Sequence, residues 1–340
     1  MELPVSPPTP PMLAKLQPDI PRGEGWRYEP KLDGFRAIVY RDGAEVYIDS
    51  RDGRPLLRYF PELEPALKKI LPRRCVVDGE IVLSHEGRLE FDMLQLRLHP
   101  AKSRVDRLAE ETPVSFIAFD LLSLGDSSLL TAPLSERRKK LEKGLAKAES
   151  LEGVPEGGST HILVAPQTDD PDEAANWFTE LERVGHDGII AKRADSPYSP
   201  GKRTMVKVKH RRTADCVVGG YRLGKDGKGI GSLLLGVYDD EGNFHYLGHT
   251  SSFSAAERRA LLERLQPMRV DQTFEGGRTP GGQSRWSQGK EGEWVSVRPE
   301  LVCEVAYDYL QGNRFRHAST FLRWREDKKP EDCRFDQLET

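Results

Sequence analysis

A short stretch near the start of the chain, YEPKLDGFRAIVY (residues 28–40), places residues that could do covalent chemistry just before an apolar run. Lys31, Asp33 and Arg36 fall within six residues, with Gly34 between them. A lysine becomes a nucleophile when burial or neighbouring cations destabilise its ammonium form. The same residues also suit a surface charge and a turn before a strand, and so short a match does not decide between the two.

Carboxylates recur in the apolar runs that follow, at Asp78 and Glu80 in VVDGEIV, at Asp120 in IAFDLL and at Asp187 in HDGIIAKR. Each has an alternative role, since Asp-Gly pairs are common in turns. Acids that bind a divalent metal ion, combined with lysines, are nevertheless what nucleotide chemistry requires, because triphosphate charge must be neutralised and pyrophosphate must leave. Phe119 is most simply a core residue, and its ring also offers a face on which a base can stack.

The densest basic segment is KRADSPYSPGKRTMVKVKHRR, residues 192–212, which contains a single acid, Asp195. An isolated run of this kind is usually a solvated loop. Its second half alternates apolar residues and lysines at a period of two: Met205, Val206 and Val208 with Lys207 and Lys209. This alternation predicts a strand with one apolar face and both lysines side by side on the other face.

The element pattern predicts an α+β fold with two domains. Residues 1–212 have the pattern of mainly antiparallel strands with interspersed helices. The elements predicted there are helices over 61–70, 135–150 with Ser135 as the N-cap, and 171–185 closed by Gly185, and strands over 75–83 and 113–124. Residues 213–340 contain short strands with Gly and Asp turns and one helix over 255–265, which is typical of a small β-barrel such as the OB-fold.

The composition excludes several classes of protein. The 340 residues carry a formal net charge of −3, which argues against coating nucleic acid by bulk charge but not against a local basic groove. No run approaches the roughly 18 apolar residues of a membrane span, and the N-terminus lacks the regions of a secretory signal. Four cysteines that are never spaced C-x-x-C indicate neither a zinc site nor a disulfide framework, so a reducing cytoplasm is expected.

One glycine-rich segment, GKDGKGIGS at residues 224–232, invites comparison with a phosphate-binding P-loop. Ile230 stands where that motif requires lysine, so a hairpin is the better interpretation. The chain also contains no protein-kinase motif set and no dinucleotide-binding fingerprint. Nucleotide chemistry, if present, therefore depends on the lysines and acids described above.

Together these residues resemble the covalent nucleotidyltransferase superfamily, and most closely the bacterial ATP-dependent DNA ligases of the ligase C type, which are related to the ligase module of ligase D. Each motif alone is short, but the set runs in order from Tyr28 to Pro330, which makes the match specific. The matching elements are Glu29, K-x-D-G-x-R at Lys31–Arg36, S-R-x-G at Ser50–Gly53, D-G-E at Asp78–Glu80, A-F-D at Ala118–Asp120, D-G-x-x-x-K at Asp187–Lys192, K-x-K at Lys207–Lys209 and R-x-D-K at Arg325–Lys328. The family has glutamate where this chain has Asp187, which is one methylene shorter.

The resemblance implies a nucleotidyltransferase domain over 1–212, with ATP-grasp-like antiparallel sheets and helices, followed by an OB-fold β-barrel over 213–340. It also implies a three-step reaction. The lysine takes AMP from ATP, AMP passes to the 5′-phosphate of a nick, and the 3′-hydroxyl then displaces AMP. The implied cofactors are ATP and either Mg²⁺ or Mn²⁺.

The resemblance also assigns residues to roles. Lys31 is the implied nucleophile, and Glu80 and Asp187 are the implied metal ligands. Lys207 and Lys209 are expected to ease phosphate charge and to help keep Lys31 uncharged. The residues implied to bind ATP or AMP are Glu29, Arg36, Arg51, Glu80, Phe119, Lys207, Lys209, Arg325, Asp327 and Lys328.

The implied partner is nicked double-stranded DNA, bound in a salt-sensitive manner. By analogy with relatives of this family, the DNA end-binding protein Ku and a separate primase-like repair polymerase are candidate partners. A membrane is not expected, and we expect a monomer in the cytoplasm, associated with the nucleoid.

Two alternatives stay open at this stage. An RNA ligase or an mRNA-capping guanylyltransferase shares K-x-D-G, although Glu29 favours adenine. A non-catalytic nucleic-acid-binding protein with an inactive first domain and a working OB barrel is the alternative from another class. It would be favoured by the loss of Lys31, Glu80 or Lys209, all of which are present.

Overall fold

The computed structural model describes residues 1–210, 212–275, 280 and 293–338. Its contacts divide the chain into two compact units, a first unit of Met1–Lys209 and a second unit of His210–Thr340. No helix in these described ranges is long and apolar enough to cross a membrane.

The first unit is built on two main sheets, and β6 and β7 form a separate two-stranded sheet. Its strands are β1 Leu13–Leu16, β2 Trp26–Lys31, β3 Phe35–Asp42, β4 Glu45–Ser50, β5 Arg74–Val82, β6 Ser84–His85, β7 Arg88–Leu89, β8 Ser115–Leu124, β9 Ser127–Ser128, β10 Glu149–Ser150, β11 Ile162–Val164, β12 Gly188–Arg193 and β13 Arg203–Val208. The larger sheet has the order β10-β11-β8-β5-β3-β4, with β9 beside β8, and the smaller sheet has the order β1-β13-β12-β2. The two longest runs of pairing in the larger sheet, β3 with β5 and β5 with β8, are antiparallel, whereas β1 pairs with β13 in parallel.

Helices cover the outer face of each sheet. They are α1 Leu63–Ile70, α2 Phe91–Leu96, α3 Lys102–Glu111, α4 Leu134–Gly144 and α5 Pro171–Glu180. Leu67 of α1 and Leu141 of α4 pack in one cluster with Val39 of the larger sheet. Trp177 of α5 packs with Ile189 of the smaller sheet. Burial of these apolar faces is the main favourable contribution to folding of the unit.

The inner faces of the two sheets meet. Ile38 and Tyr40 of β3 pack with Met12 and with Met205 of β13. Val39, which lies between them in the sequence, faces the helices instead. Successive side chains alternate across a strand, so every second residue of these strands points toward the space between the sheets. This alternation is what brings charged residues from separate motifs to one cleft.

Two glycines of the acidic motifs are required by close strand packing. A Cβ at Gly79 would overlap the Phe116 ring of the neighbouring strand. Gly188 has φ of +132°, and a Cβ there would overlap the carbonyl of Val208. Only glycine gives the backbone this freedom without steric cost. The glycines of D-G-E and D-G-x-x-x-K therefore let acid-bearing strands approach their neighbours.

The second unit is a β structure with one α-helix among its described residues. Its elements are β14 Arg212–Leu223, β15 Ile230–Tyr238, β16 Phe244–Thr250, α6 Ala255–Leu265, β17 Val295–Ser296, β18 Val302–Tyr307, β19 Leu310–Gln311, β20 Arg314–Phe315 and β21 Thr320–Trp324. The main sheet has the order β16-β15-β14-β18-β21, with β17 beside β14. Ser254 and Glu257 form a capping box that begins α6.

The structure confirms the predicted α+β class and the helix over 255–265, and it corrects other details. The helix predicted over 135–150 is shorter, because α4 begins at Leu134 and ends at Gly144. Pro133 occupies the N-cap position, so the prediction of Ser135 as the N-cap was wrong. Ser150 instead belongs to β10, which pairs with β11.

The basic strand differs from its prediction in two ways. Lys209 lies just beyond the end of β13 at Val208. Val206 and Val208 face α5, whereas Met205 lies on the same inner face as Lys207. Met205 therefore contributes to the cleft rather than to the apolar face on which the sequence pattern placed it.

The acid of the A-F-D motif is held by a buried ion pair. Asp120 accepts hydrogen bonds from Nε and Nη2 of Arg137 at 2.8 and 2.9 Å. Both side chains are almost fully buried, at 0% exposure for Arg137 and 1% for Asp120. This contact gives Asp120 a structural role.

We predict that Arg137→Met lowers the free energy of unfolding by about 3 kcal/mol, because it leaves a buried carboxylate unpaired. Urea titration followed by far-UV circular dichroism measures the loss. The control is Arg107→Met, which removes an exposed pair with Glu111 (64% and 56% exposed) and should cost less than about 0.5 kcal/mol. Equal losses in the two variants would contradict the prediction.

Candidate active site

A cleft in the first unit gathers residues from both sheets. Its apolar wall includes Met12 and Leu13 of the N-terminal segment together with Ile190 and Met205. The residues assigned from the sequence that line it are Glu29, Lys31, Arg36, Arg51, Glu80, Phe119 and Lys207. The cleft therefore combines an apolar surface, an aromatic ring and charges of both signs, as a nucleotide site requires.

Lys31 and Lys209 share one carboxylate. Lys31 lies at the end of β2, and its Nζ is 2.6 Å from Oδ2 of Asp187. The Nζ of Lys209 is 2.7 Å from the same oxygen. The backbone N–H of Asp187 donates to the Lys31 carbonyl at 2.8 Å, and Gly188 is in register with Lys31. The backbone thus fixes the acid beside the candidate nucleophile.

This arrangement sets the protonation of the cluster. Burial lowers the pKa of Lys31, but the Asp187 carboxylate and weaker effects of nearby acids outweigh it, so the lysine pKa is raised. Burial would raise the pKa of Asp187, but Lys31 and Lys209 lower it by more. Lys31 is therefore protonated in the ligand-free cleft, and the expectation that Lys207 and Lys209 help to keep it uncharged stays a prediction for the nucleotide-bound protein. The pKa of Lys207 is lowered, through burial and the charges of Lys209 and Lys31.

Glu29 is a buried acid with two dedicated partners. It is 3% exposed. Its Oε2 is 2.6 Å from Nζ of Lys192, and its Oε1 accepts a hydrogen bond from Nε2 of Gln167 at 2.7 Å. A carboxylate at this depth is stable only with such partners. Lys192 and Gln167 thus hold the acid that the resemblance associates with adenine.

Phe119 is covered by cations. The guanidinium carbon of Arg36 lies 4.5 Å from the centre of the Phe119 ring, and Nζ of Lys192 lies 4.7 Å from it. Arg36 is itself oriented by Asp78, which accepts from its Nε and Nη2, each at 2.6 Å. Tyr198 adds a third hydrogen bond to Asp78 at 2.6 Å. Asp78 is fully buried, so it acts on Arg36 from within the protein.

Glu80 is an acid of the cleft whose carboxylate is free to bind a ligand or a metal ion. It lines the cleft, and within the described residues its side chain makes no hydrogen bond or ion pair. Burial raises its pKa to about 7, although Arg36 and Lys31 oppose the shift. A carboxylate with free oxygens is a suitable ligand for a hard cation.

The donor set fits a metal ion shared with a ligand. Among the residues that the structure describes, no three His, Cys, Asp or Glu side chains are grouped to hold a metal. Mg²⁺ is commonly bound by one or two carboxylates together with substrate phosphates. Glu80 suits that mode directly. Asp187 suits it less directly, because both lysines hold its Oδ2.

Two cations at the cleft have no anionic partner among the described residues. Arg51 and Lys207 line the cleft, and in the described part of the chain neither side chain makes an ion pair. Arg203, also at the cleft, donates to the carbonyl of Ala14 at 3.2 Å. Unpaired cations beside an aromatic ring favour a phosphate-bearing ligand. Arg203 was missed by the sequence assignments, although it lies in the basic segment.

The three assigned residues of the second unit form a separate cluster. Arg325 donates through Nε and Nη2 to Asp327, and through Nη1 to Asp215. Lys328 also donates to Asp215. Asp215 was missed by the sequence analysis, and so were Gln167 and Tyr198. Of these, only Tyr198 had a signal, because it lies in the basic segment 192–212.

Comparison with known proteins gives concordant matches over most of the chain. Residues 11–209 match the ATP dependent DNA ligase domain, and residues 226–328 match the ATP dependent DNA ligase C terminal region. DNA ligase C1 of Mycolicibacterium smegmatis is 49% identical over 100% of this chain and 96% of its own length. The DNA repair protein LigD of Mycobacterium tuberculosis, described as a multifunctional non-homologous end joining protein, is 34% identical over 90% of this chain and 37% of its own length.

A solved structure gives a matching fold. A Lig E DNA ligase, described as binding DNA with a minimal scaffold, superposes with a TM-score of 0.56 over 93% of this chain and 99% of the other. The identity is 19%, so this likeness concerns the fold alone. It agrees with the predicted order of a mixed sheet-and-helix domain followed by an OB-fold.

The raised pKa of Glu80 predicts a pH-dependent stability. The folded protein holds the Glu80 proton up to about pH 7, whereas the ordinary pKa is 4.5, so the native state binds more protons between these values. Its contribution to stability is therefore full at low pH and declines as pH rises toward 7.

We predict that Glu80→Gln becomes more stable relative to the wild type as pH rises from about 5 to about 8. Urea titrations at the two pH values measure the difference. Glu110→Gln, which changes an exposed acid of α3, should show no such trend. A constant difference between Glu80→Gln and the wild type at both pH values would contradict the assigned pKa.

Proposed function

The chain belongs to the ATP-dependent DNA ligase family, and we propose that Lys31 is the residue through which it takes AMP from ATP. The observation that supports this proposal is the Lys31–Asp187–Lys209 cluster at the cleft. A partly buried lysine whose charge depends on an acid that it shares with a second lysine suits a nucleophile. The enzyme is a DNA ligase, and its product is a sealed nick.

The first step is nucleophilic attack at phosphorus. The uncharged Nζ of Lys31 forms a bond to the α-phosphorus of ATP, the bond from that phosphorus to the bridging oxygen breaks, and pyrophosphate leaves. The ammonium must first lose a proton, which its raised pKa opposes while Asp187 is its partner. A ligand that draws Asp187 away from Lys31 removes the influence that raises this pKa.

Several residues bind the nucleotide in this proposal. Phe119 stacks on adenine after the cations that cover its ring move aside. Glu29, which Lys192 and Gln167 keep in place, contacts the base. Arg36, oriented by Asp78, contacts ribose or phosphate. A bound Mg²⁺ or Mn²⁺ would be held by Glu80 and Asp187 and would neutralise phosphate charge.

The later steps act on DNA. AMP passes from Lys31 to the 5′-phosphate of the nick, and the 3′-hydroxyl then attacks that phosphate and releases AMP. We assign Arg51 and Lys207, which make no ion pair with a described residue, to phosphate, together with Arg203. Positioning and charge stabilisation supply most of the catalysis in such transfers.

The remaining assignments extend the same proposal. We assign adenylation to residues 1–212 and the OB-fold to 213–340, with Arg325, Asp327 and Lys328 acting on the ATP-dependent first step. The substrate is nicked double-stranded DNA, and the setting is DNA repair at the nucleoid. Ku and a primase-like polymerase are proposed partners of a monomeric enzyme, supported by the similarity to LigD.

We predict that Lys31→Ala forms no lysyl-AMP with ATP and does not seal a 5′-phosphate nick, because the nucleophile is missing. It should still seal a nick that already carries AMP, since that substrate bypasses the first step. Labelling with α-labelled ATP and gel analysis of both DNA substrates measure the two outcomes. Lys69→Ala, which removes an exposed lysine of α1, should behave as the wild type.

A Lys31→Ala protein that still carries covalent AMP would contradict the assignment of the nucleophile. Two substrates separate the alternatives to a DNA ligase. Labelling with GTP in place of ATP would indicate a capping enzyme. Sealing that requires RNA on the 3′-hydroxyl side of the nick would indicate an RNA ligase.

A further inference from the structure

One acid of the second unit, Asp215 on β14, binds both basic residues of the R-x-D-K element. Nη1 of Arg325 donates to both carboxylate oxygens of Asp215, at 2.9 Å each. Nζ of Lys328 donates to Oδ2 at 2.9 Å. The Asp215 side chain is only 12% exposed, so these pairs are poorly screened by solvent.

The position of Asp215 is fixed by the backbone. Its N–H donates to Oε1 of Gln337 at 2.8 Å, and its carbonyl accepts from Nε2 of Gln337 at 3.0 Å. The residue also lies within the long pairing of β14 with β18, opposite Glu304. The carboxylate is therefore a fixed point to which both cations are attached.

Arg325 divides its donors between a buried and an exposed acid. Nη1 is bound to Asp215, whereas Nε and Nη2 face Asp327 at 2.9 and 2.8 Å. The Asp327 side chain is 66% exposed. An exposed ion pair contributes little and is readily exchanged, while a buried pair is costly to break. A phosphate can therefore take the Nε–Nη2 edge of Arg325 while Asp215 retains Nη1.

We propose that Asp215 is a positioning residue for the formation of lysyl-AMP: it anchors Arg325 and Lys328 so that the outer edge of the guanidinium is presented to the triphosphate. This inference rests on the proposed function of Arg325 and Lys328. Asp215 itself touches no substrate. The Asp327 carboxylate occupies, in the ligand-free protein, the edge of Arg325 that a phosphate would bind bidentately.

The test is Asp215→Asn, which keeps the size of the side chain and removes its charge. We expect the rate of lysyl-AMP formation from ATP to fall roughly tenfold or more, since misplaced binding groups are costly in phosphoryl transfer. Sealing of a nick that already carries AMP should change less than about twofold, because it needs no triphosphate. Rapid-quench labelling and single-turnover sealing measure the two rates.

The matched control is Glu304→Gln. Glu304 lies opposite Asp215 on β18 and pairs with Arg323 of β21 at 2.6 Å, so the variant removes a more exposed ion pair from neighbouring strands of the same sheet. It should form lysyl-AMP at the rate of the wild type. Thermal unfolding of all variants shows whether a rate change accompanies a loss of folding.

A second comparison separates positioning from a structural role. In the background of Arg325→Ala and Lys328→Ala, Asp215→Asn should reduce lysyl-AMP formation no further, because the groups it positions are gone. An equal further loss in that background would overturn the inference. So would unchanged or faster lysyl-AMP formation by Asp215→Asn alone, or an equal loss in both reactions. A wild type that forms no lysyl-AMP would instead overturn the proposed function, and this inference with it.

Discussion

The bridging of Lys31 and Lys209 by a single carboxylate is the interaction on which the rest of the site depends. It requires the Asp187 backbone to bond to the carbonyl of Lys31, and it requires Gly188 to fit against Val208. Those contacts in turn set β12 between β2 and β13 in the smaller sheet. Because side chains alternate along each strand, this placement also turns the remaining charged residues toward the larger sheet. The Asp187 carboxylate raises the pKa of Lys31, so the proposed nucleophile is protonated in the ligand-free protein.

The other charged side chains of the cleft fall into two groups, those that are paired within the protein and those that are not paired with a described residue. Glu29 and Asp78 are buried, and both have partners within the protein: Lys192 and Gln167 bind Glu29, and Arg36 and Tyr198 bind Asp78. Glu80 has no such partner among the described residues, and burial raises its pKa to about 7. A metal-bound triphosphate would supply partners for the charged side chains that lack one in the protein. The side chains that are already paired shape the cleft in the absence of a ligand. The second unit repeats this division in Asp215, which is buried, and Asp327, which is exposed.

Much of this could be predicted from the sequence, because strand periodicity and short motifs are local. The acids and lysines of the first unit were assigned from such motifs, and seven of the assigned residues line one cleft. The sequence could not show that Asp187 outweighs the effect of burial on the pKa of Lys31, since that balance depends on the 2.6 Å distance from Nζ of Lys31 to the Asp187 carboxylate. Gln167 and Asp215 act through partners 138 and 110 residues away along the chain, which no local pattern reveals.

The most direct test of Lys31 as the nucleophile is the intact mass of the wild-type protein after incubation with a divalent metal and either ATP or GTP, followed by peptide mapping. Pyrophosphate treatment beforehand removes any AMP acquired in the cell. The structure and the family membership predict an added AMP on Lys31 with ATP and no addition with GTP. An adduct on another residue, a GMP adduct, or no adduct at all would contradict the central claim.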